Sequence, residues 1–398
     1  MITVNPAPTP VSKIAPPVRV LYVTDGFAPY VVGGMQTVAR RHIDSLLAAG
    51  FEIVTISSRD GGSPGNLAWR NISILWPPRG LLQALSPWRY ASELRRFSVA
   101  VARIIDDVRP DVVYSEGPLV ANYLQRPRNE RVPTIFHPHG LEMFQHKGSH
   151  LEDSKSWPLR RIVRLHARNA DAVISQSERG VLSRILMDTC GVPAHRLFTL
   201  PNAISPDQPT AGSARVRPAG GRFLFVGRDE PRKGLAVLLK AVAGLDGATL
   251  DVVGHGNLPR HSSSRVRAHG RIDDRQRLRD IFAAADFVVV PSYAEGMPTV
   301  ILEAFAQAVP VIATDVGAVA DAVRSGETGF LIPPGDTVAL RQAMGHAMSL
   351  DATHYARLSR NCLEMARTRY APTTIGSQLV QLIRHIAAVG AESGRSND

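Results

Sequence analysis

Two carboxylates, Glu295 and Glu303, flank a predicted junction between a strand and a helix. The apolar run Ala285–Val290 predicts a buried strand, and Pro298 is a favourable first residue for the helix that follows. Glu295 is therefore expected in the loop at the carboxyl end of the strand, and Glu303 in the second turn of the helix. Helical side chains lean toward the helix N-terminus, so Glu303 can reach back to the space that Glu295 borders.

The residues between these carboxylates begin with Gly296, Met297, Pro298 and Thr299. Free backbone N–H groups and the positive end of a helix dipole make such a helix N-terminus suitable for a phosphate. A ligand that suits both the carboxylates and this terminus must carry hydroxyls as well as phosphates. A nucleotide-sugar meets that description.

A second strand–helix junction carries cations in the sequence VGRDEPRKG. Gly227 and Arg228 follow a predicted strand, and Lys233 precedes a predicted helix. Two cations placed in this way can clamp a diphosphate, assisted by the helix N-terminus. A solvated basic loop is the alternative, and the neighbouring pair of carboxylates favours the binding site.

Three glycine-containing turns could bring backbone groups close to a ligand, although ordinary turns look the same. Gly254 ends a predicted strand, and Gly33 and Gly34 precede a predicted helix. Arg271 and Ile272 lie in the segment HGRI, which could offer backbone groups to a flat base.

His139 stands in the turn FHPHG, directly after a predicted strand. Strand ends of this kind face the ligand crevice in an open parallel sheet. A histidine there could bind a sugar hydroxyl or assist proton transfer, and a structural histidine is the alternative.

The chain has 398 residues and a net charge of +11, with a hydrophobic fraction of 44% that is typical of globular proteins. Its length favours two domains, and it contains no apolar run of about 18 residues that could cross a membrane. The charge fits nucleic acid, an anionic membrane or a phosphorylated substrate. The sequence lacks a long Lys/Arg block, zinc-finger spacing and an aromatic RNA-binding motif, so nucleic acid is not an expected partner.

Metal and redox chemistry have no sequence signal. The chain has no HExxH, paired CxxC or Asp-x-Asp motif, and we expect no metal site. Cys190 and Cys362 are too few for a disulfide framework and fit a reducing cytosol. The segments Lys155–Arg168 and Leu81–Arg96 mix arginines with apolar residues. They fit either a surface for anionic lipid or a solvated helix face packed on the sheet.

The strand and helix patterns alternate along the chain and predict an α/β fold with two Rossmann-like, doubly wound domains facing a cleft. Gly390 is expected to end the last helix, with a frayed end after it. The predicted parts are a disordered leader (1–17), a first domain (18–204), a linker (205–221), a second domain (222–370), and a C-terminal helix and tail (371–398) for which packing back on the first domain is one option.

Taken together, the motifs resemble the family-4 retaining glycosyltransferases of the GT-B fold, from Val18 to about Tyr370. The resemblance implies that Glu295 holds hydroxyls of the donor sugar and Glu303 the nucleotide ribose. Arg228 and Lys233 would bind the diphosphate and stabilise the leaving group. The implied donor is a UDP- or GDP-type sugar, used as co-substrate without a metal or other cofactor.

On the acceptor side, the resemblance places His139 near the transferred sugar and Gly34 near the donor phosphates. One departure is Ala203, which follows Pro201-Asn202 where the family usually has glycine. The implied activity is retaining sugar transfer to a hydroxyl, such as a lipid-linked one, in cell-surface, exopolysaccharide or glycolipid assembly. The expected location is cytoplasmic, with attachment to the inner face of the membrane as one option. Alternatives are a small-molecule acceptor or a non-catalytic scaffold in a glycan-synthesis complex.

Overall fold

The computed structural model describes residues 17–26, 34–57, 69–73, 87–148, 153–154, 156–178, 180–204, 220–228, 230–254 and 264–395. All strand pairings described are parallel, and the strands form two separate sheets. The expected α/β fold with two Rossmann-like sheets is confirmed.

The first half of the chain builds one sheet and the helices around it. Its described strands are β1 (Arg19–Thr24), β2 (Glu52–Ser57), β3 (Trp69–Ser73), β4 (Val112–Glu116), β5 (Thr134–His137), β6 (Ala172–Ser175) and β7 (Leu197–Thr199). Its described α-helices are α1 (Gly34–Ala48), α2 (Pro87–Val108), α3 (Trp157–Asn169) and α4 (Val181–Arg184). The strand order is β3-β2-β1-β4-β5-β6-β7, so the direction of winding reverses between β1 and β4.

Strand β1 shows why helices cover both faces of this sheet. Successive side chains of a strand point to opposite faces. Val20 and Tyr22 belong to a core with α1, whereas Leu21 and Val23 belong to a core with α2. The continuous apolar run of β1 thus contributes side chains to two cores, one on each face of the sheet.

The second half repeats the arrangement. Its described strands are β8 (Arg222–Val226), β9 (Thr249–Val253), β10 (Val266–Gly270), β11 (Phe287–Val290), β12 (Val311–Thr314) and β13 (Gly329–Ile332), in the order β10-β9-β8-β11-β12-β13. Its helices are α5 (Leu235–Ala243), α6 (Arg275–Ala284), α7 (Thr299–Ala306), α8 (Val319–Ala322), α9 (Thr337–Met348), α10 (Ala352–Arg367) and α11 (Pro372–Arg395). Strand β10 has no counterpart in the sequence prediction, because this edge strand carries exposed Arg267 and Ala268 and lacks an apolar run.

Helix α11 returns to the first half and packs against α1. Leu379 and Ile383 are buried in the same core as Ile43 and Leu46. The expected helix end at Gly390 is wrong, because α11 continues to Arg395. A side-chain carbon on Gly390 would lie 2.3 Å from the ring of Pro133, so glycine there permits close packing.

Among the described residues, one apolar cluster contains side chains from both halves. Phe136 and Leu186 from the first half share it with Ile301 and Phe305 of α7. This shared core holds the two halves against each other. Among the described helices, none combines the length and apolar character needed to cross a bilayer.

Candidate functional site

The site lies where the strand order of the second sheet reverses, at the carboxyl ends of β8 and β11. Ligands bind at such switch points in open α/β sheets. The loop after β8 contacts the loop after β11 through Gly234, whose φ is 72°. A side-chain carbon on Gly234 would lie 1.9 Å from the carbonyl oxygen of Pro291, so only glycine fits this contact.

Glu295 and Lys233 form a direct ion pair in this loop contact. Nζ of Lys233 lies 2.6 Å from Oε1 of Glu295, and the hydroxyl of Ser292 donates to the same oxygen at 2.7 Å. Glu295 is buried, and little of Lys233 is exposed. The pair is therefore shielded from bulk water, where its charges interact more strongly than on an open surface.

Arg232, which the sequence analysis did not single out, extends this pair into a chain. Its Nη1 lies 3.6 Å from Oε2 of Glu295, and its Nε lies 2.7 Å from Oε2 of Glu230. Glu230 also pairs with Arg228, at 2.9 Å from Nη2. The side chain of Arg228 is 77% exposed and stands at the solvent end of the chain, apart from the buried pair. Three cations and two carboxylates leave this chain with an excess of one positive charge.

Glu303 lies on α7, where it is half-buried. Burial raises the pKa of its carboxyl, while a hydrogen bond from Thr299 and the charge of Arg41 oppose the shift. Arg41 belongs to α1, so Glu303 lies where the two halves meet. The other predicted residues of this loop, Met297 and Pro298, are buried directly before α7.

The remaining predicted residues of the second half have contacts within the protein. Gly254 has a φ of 88°, and a side-chain carbon on it would lie 2.8 Å from the carbonyl oxygen of Gly227. Close packing of two strand ends therefore accounts for Gly254, whereas a side-chain carbon on Gly227 would lie 2.9 Å from the ring of Phe225. Arg271 is exposed and pairs with Asp273 at 2.8 Å, and Ile272 packs on the apolar cluster between the halves.

Of the glycine pair predicted in the first half, Gly34 is the first residue of α1. Gly33 lies outside the described residues.

Several residues of the first half contact the loop that carries Glu295. The side-chain amide of Gln145 bonds to both backbone groups of Glu295, at 2.7 Å and 3.3 Å. Asn202 donates through Nδ2 to the carbonyl of Met297 at 3.0 Å. A side-chain carbon on Gly296 would lie 2.4 Å from the carbonyl oxygen of His139. His139 therefore lies directly beside the loop of Glu295, as the cleft interpretation requires.

A buried polar cluster lies beneath His139 and has no counterpart in the sequence prediction. His42, Glu116 and His137 place one nitrogen or oxygen each within 4.8 Å of one another, an arrangement that could hold a metal ion. The hydroxyls of Tyr22 and Tyr114 already bond to these same side chains. The residues come from separate elements, so their spacing along the chain carries no metal-site signal.

Two family models match the chain. Glycosyltransferase Family 4 matches residues 32–208, and Glycosyl transferases group 1 matches residues 220–349, so together they cover both sheets. The chain belongs to the family-4 glycosyltransferases. The matched regions include His139 in the first half and Glu295 in the second.

Similar proteins include the phosphatidyl-myo-inositol mannosyltransferase of Mycobacterium leprae, which is 31% identical over 210 residues. That alignment covers 48% of this chain and 54% of the relative, so about half of each protein is compared.

Among solved structures, sucrose-phosphate synthase from Thermosynechococcus elongatus superposes with a TM-score of 0.75. It is 22% identical and the match covers 94% of this chain and all of that one. Anabaena HepE in complex with UDP-glucose gives a TM-score of 0.64 at 20% identity, covering 92% of this chain and 99% of that one. These likenesses confirm the GT-B fold of this family-4 glycosyltransferase.

Proposed function

We propose that this glycosyltransferase moves a sugar from a nucleoside-diphosphate sugar to a hydroxyl acceptor, with retention of configuration and without a metal ion. The observation that carries the proposal is the buried pair of Lys233 and Glu295 at the switch point of the second sheet, 2.6 Å apart. It supplies a cation for a phosphate and a carboxylate for sugar hydroxyls in one place. The complex of Anabaena HepE with UDP-glucose supports a donor of this class.

In our proposal, donor binding exchanges partners within the ion-pair chain. The diphosphate carries negative charge and competes with Glu295 for Lys233 and Arg232. When these cations turn to the phosphates, the carboxylate of Glu295 becomes able to accept hydrogen bonds from the donor sugar. Cations fixed beside the leaving diphosphate stabilise the charge that develops as the glycosidic bond breaks.

The transfer step replaces one bond of the anomeric carbon with another. The bond between the anomeric carbon and the phosphate oxygen breaks, and the acceptor oxygen bonds to the same carbon from the same face. The acceptor's proton passes to the departing phosphate, and attack from the same face retains the configuration. His139 lies beside this reaction space and contacts the transferred sugar. Its contact with Gly296 supports this placement.

The acceptor class we propose is a hydroxyl of a growing glycan, glycolipid or polysaccharide. The Mycobacterium leprae relative, which is named a phosphatidyl-myo-inositol mannosyltransferase, supports a lipid-linked acceptor. A non-catalytic scaffold is disfavoured because the scaffold would have no need for a buried ion pair at the donor site.

A donor screen tests the proposal. Hydrolysis and transfer are measured with UDP-, GDP- and ADP-sugars in the presence of EDTA, and the anomeric configuration of the product is read by NMR. We expect turnover with one nucleotide class, a retained configuration and at least a hundredfold loss in Glu295→Ala. Wild-type turnover in Glu295→Ala would contradict the site, and calorimetry showing no binding of UDP or GDP would favour a scaffold.

A membrane surface near the acceptor is a second proposal, and it rests on helix α3. Trp157 is 53% exposed, and Arg161, one turn later on the same face, is also exposed. Other arginines of α3 have partners in the protein: Arg160 donates to the carbonyl of Met143, and Arg168 to that of Cys190.

Flotation with vesicles containing anionic lipid tests this second proposal. We expect the wild-type protein to float and the double variant Trp157→Ala/Arg161→Ala to remain unbound. Equal flotation of the two proteins would exclude this face of α3 as the membrane contact.

A further inference from the structure

A group of buried polar side chains stands directly behind His139, at the carboxyl ends of β1, β4 and β5. Tyr22, Tyr114, Glu116 and His137 are almost fully buried, and His42 of α1 covers them. Glu116 and His137 are register partners in neighbouring strands. Burying a carboxylate is costly unless hydrogen bonds and an opposite charge compensate for it.

Hydroxyl groups supply part of this compensation. The hydroxyl of Tyr22 donates to Oε1 of Glu116, and Oγ1 of Thr24 lies 2.9 Å from Oε2. Nδ1 of His42 lies 3.0 Å from the Tyr22 oxygen. Because that oxygen donates its proton to Glu116, it accepts one from His42. Glu116 is thus fixed in place by neutral donors.

His139 supplies the other contact with this carboxylate. Its Nε2 is buried and lies 3.1 Å from Oε1 of Glu116, within ion-pair distance, although the angle is not that of a linear hydrogen bond. The other titratable groups around Glu116 are Tyr22, Tyr114, His42 and His137, with Arg41 acting on His42.

Two of these neighbours, His42 and His137, do not supply a cation beside Glu116. Burial lowers the pKa of His42 to about 4 and the pKa of His137 well below its ordinary value. Both imidazoles are therefore neutral near neutral pH. Nε2 of His139 also lies closer to Oε1 of Glu116, at 3.1 Å, than Nδ1 of His42 does, at 3.9 Å.

The position of His139 is fixed from two further sides. Its ring stacks on that of His137 with centroids 3.8 Å apart. Its backbone has a φ of 58°, an uncommon conformation for a residue with a side chain, and its carbonyl packs on Gly296. Strained residues of this kind persist only where the surroundings hold them, and they concentrate at functional sites.

We propose that Glu116 is the positioning residue of His139: its buried carboxylate holds Nε2 of the imidazole and so fixes the ring beside the loop of Glu295. The other ring nitrogen is then the donor to a hydroxyl of the transferred sugar. This role of His139 rests on the proposed function, whereas the link between Glu116 and His139 does not.

The group of His42, Glu116 and His137 could also be a metal site, and the hydrogen bonds decide against this. The Tyr22 hydroxyl bonds to both His42 and Glu116, and the Tyr114 hydroxyl lies 2.8 Å from Nδ1 of His137. These phenols already bond to Nδ1 of both histidines and to Oε1 of Glu116, although Nε2 of His137 is buried without a hydrogen-bond partner. Stoichiometric zinc in the purified protein, lost in His42→Gln, would overturn our interpretation.

The link is tested by NMR of the full chain with isotope-labelled histidine, with the His139 signal assigned from His139→Gln. We expect Glu116→Gln to change the nitrogen chemical shift of Nε2 of His139, because the carboxylate beside that atom is replaced by an amide. Glu130→Gln, at an exposed carboxylate of the same half, should leave this chemical shift unchanged. An unchanged Nε2 chemical shift in Glu116→Gln would overturn the proposal.

The functional part is tested by a double-mutant cycle on transfer rates. We expect Glu116→Gln to lower kcat at least tenfold with the donor KM within threefold, and the double variant with His139→Gln to match His139→Gln. If the losses in kcat of the two single variants multiply in the double variant, Glu116 does not act through His139. A changed Nε2 chemical shift with unchanged rates would keep the link between Glu116 and His139 and overturn the role of His139 in the proposed function.

Discussion

Gln145 and Glu295, from opposite halves of the chain, are joined by two hydrogen bonds. Nε2 of Gln145 donates to the carbonyl of Glu295 at 2.7 Å, and the N–H of Glu295 donates to Oε1 of Gln145 at 3.3 Å. Both residues are buried. One side-chain amide thus fixes the peptide groups on either side of the Glu295 side chain, and it does so only when the two halves are together.

Gln145→Ala should weaken donor use by breaking this link. Two lost hydrogen bonds, at about 0.5–1.5 kcal/mol each, correspond to roughly a tenfold loss in kcat/KM for the donor. Initial rates measure this, with thermal denaturation to check folding. Gln125→Ala, at an exposed glutamine of the same half, is the control and should retain full activity. Equal activity of the two variants would show that Gln145 does not position Glu295.

Lys233→Ala should cost far more activity than Arg228→Ala. Lys233 is in the buried pair with Glu295, whereas Arg228 is mostly exposed and pairs with Glu230. We expect a loss in kcat of about a hundredfold or more for Lys233→Ala, because a fixed cation at the leaving group is removed. For Arg228→Ala we expect less than about tenfold, as for other exposed ion pairs.

Rates with a saturating donor, together with calorimetry for nucleotide binding, measure this difference. Lys240→Ala, at an exposed lysine of α5, should behave as the wild type. A larger loss of kcat in Arg228→Ala than in Lys233→Ala would contradict the assignment of the buried pair to the donor site.

Gly296→Ala should force the two halves apart. Its new carbon would lie 2.4 Å from the carbonyl oxygen of His139, and backbone atoms on both sides leave little room to shift. We expect a loss of kcat/KM of at least tenfold and a larger radius of gyration in solution scattering. Gly345→Ala is the matched control, because its carbon would lie 3.6 Å from Leu245, an ordinary contact. An unchanged radius and full activity in Gly296→Ala would contradict the closed contact.

His166 should make the protein less stable in acid. It is fully buried, its Nε2 accepts from the N–H of Val120 at 3.2 Å, and its Nδ1 donates to the carbonyl of Ile162 at 2.9 Å. Burial lowers the pKa of His166 from 6.5 to about 4, so the native state requires the neutral ring. The unfolded chain binds a proton near pH 6.5 and the folded chain only near pH 4. Stability is therefore full above pH 6.5 and falls as the pH is lowered toward 4.

Denaturant unfolding between pH 6.5 and about 4 measures this loss of stability in acid. A shift from 6.5 to about 4 corresponds to a loss of roughly 3 kcal/mol in the free energy of unfolding. His166→Gln should be less stable at neutral pH but show a shallower pH dependence. His195→Gln, at an exposed histidine, should keep the wild-type slope. An equal slope in His166→Gln would show that another group causes the acid sensitivity.

The sequence predicted the elements of the second half well because their signals are local. The apolar run before Pro291 and the helical spacing after it lie within a few residues of each other, and β11 and α7 form there. Glu295 and Lys233 are expected at strand ends of one parallel sheet, and the structure brings them into contact. The sequence could not predict which arginine contacts Glu295, since whether Arg228 or Arg232 turns toward it depends on how the loop folds.

What the sequence by itself determined was the alternation of strands and helices, the two parallel sheets and the loops that carry the charges. Short-range periodicity and turn chemistry are sufficient for these features. The tertiary structure alone decided which residues of the first half meet that site: Gln145 contacts Glu295 across 150 positions, and Glu116 contacts His139 from a neighbouring strand. Such contacts depend on strand order and on packing between the halves, and neither can be predicted from the spacing of residues along the chain.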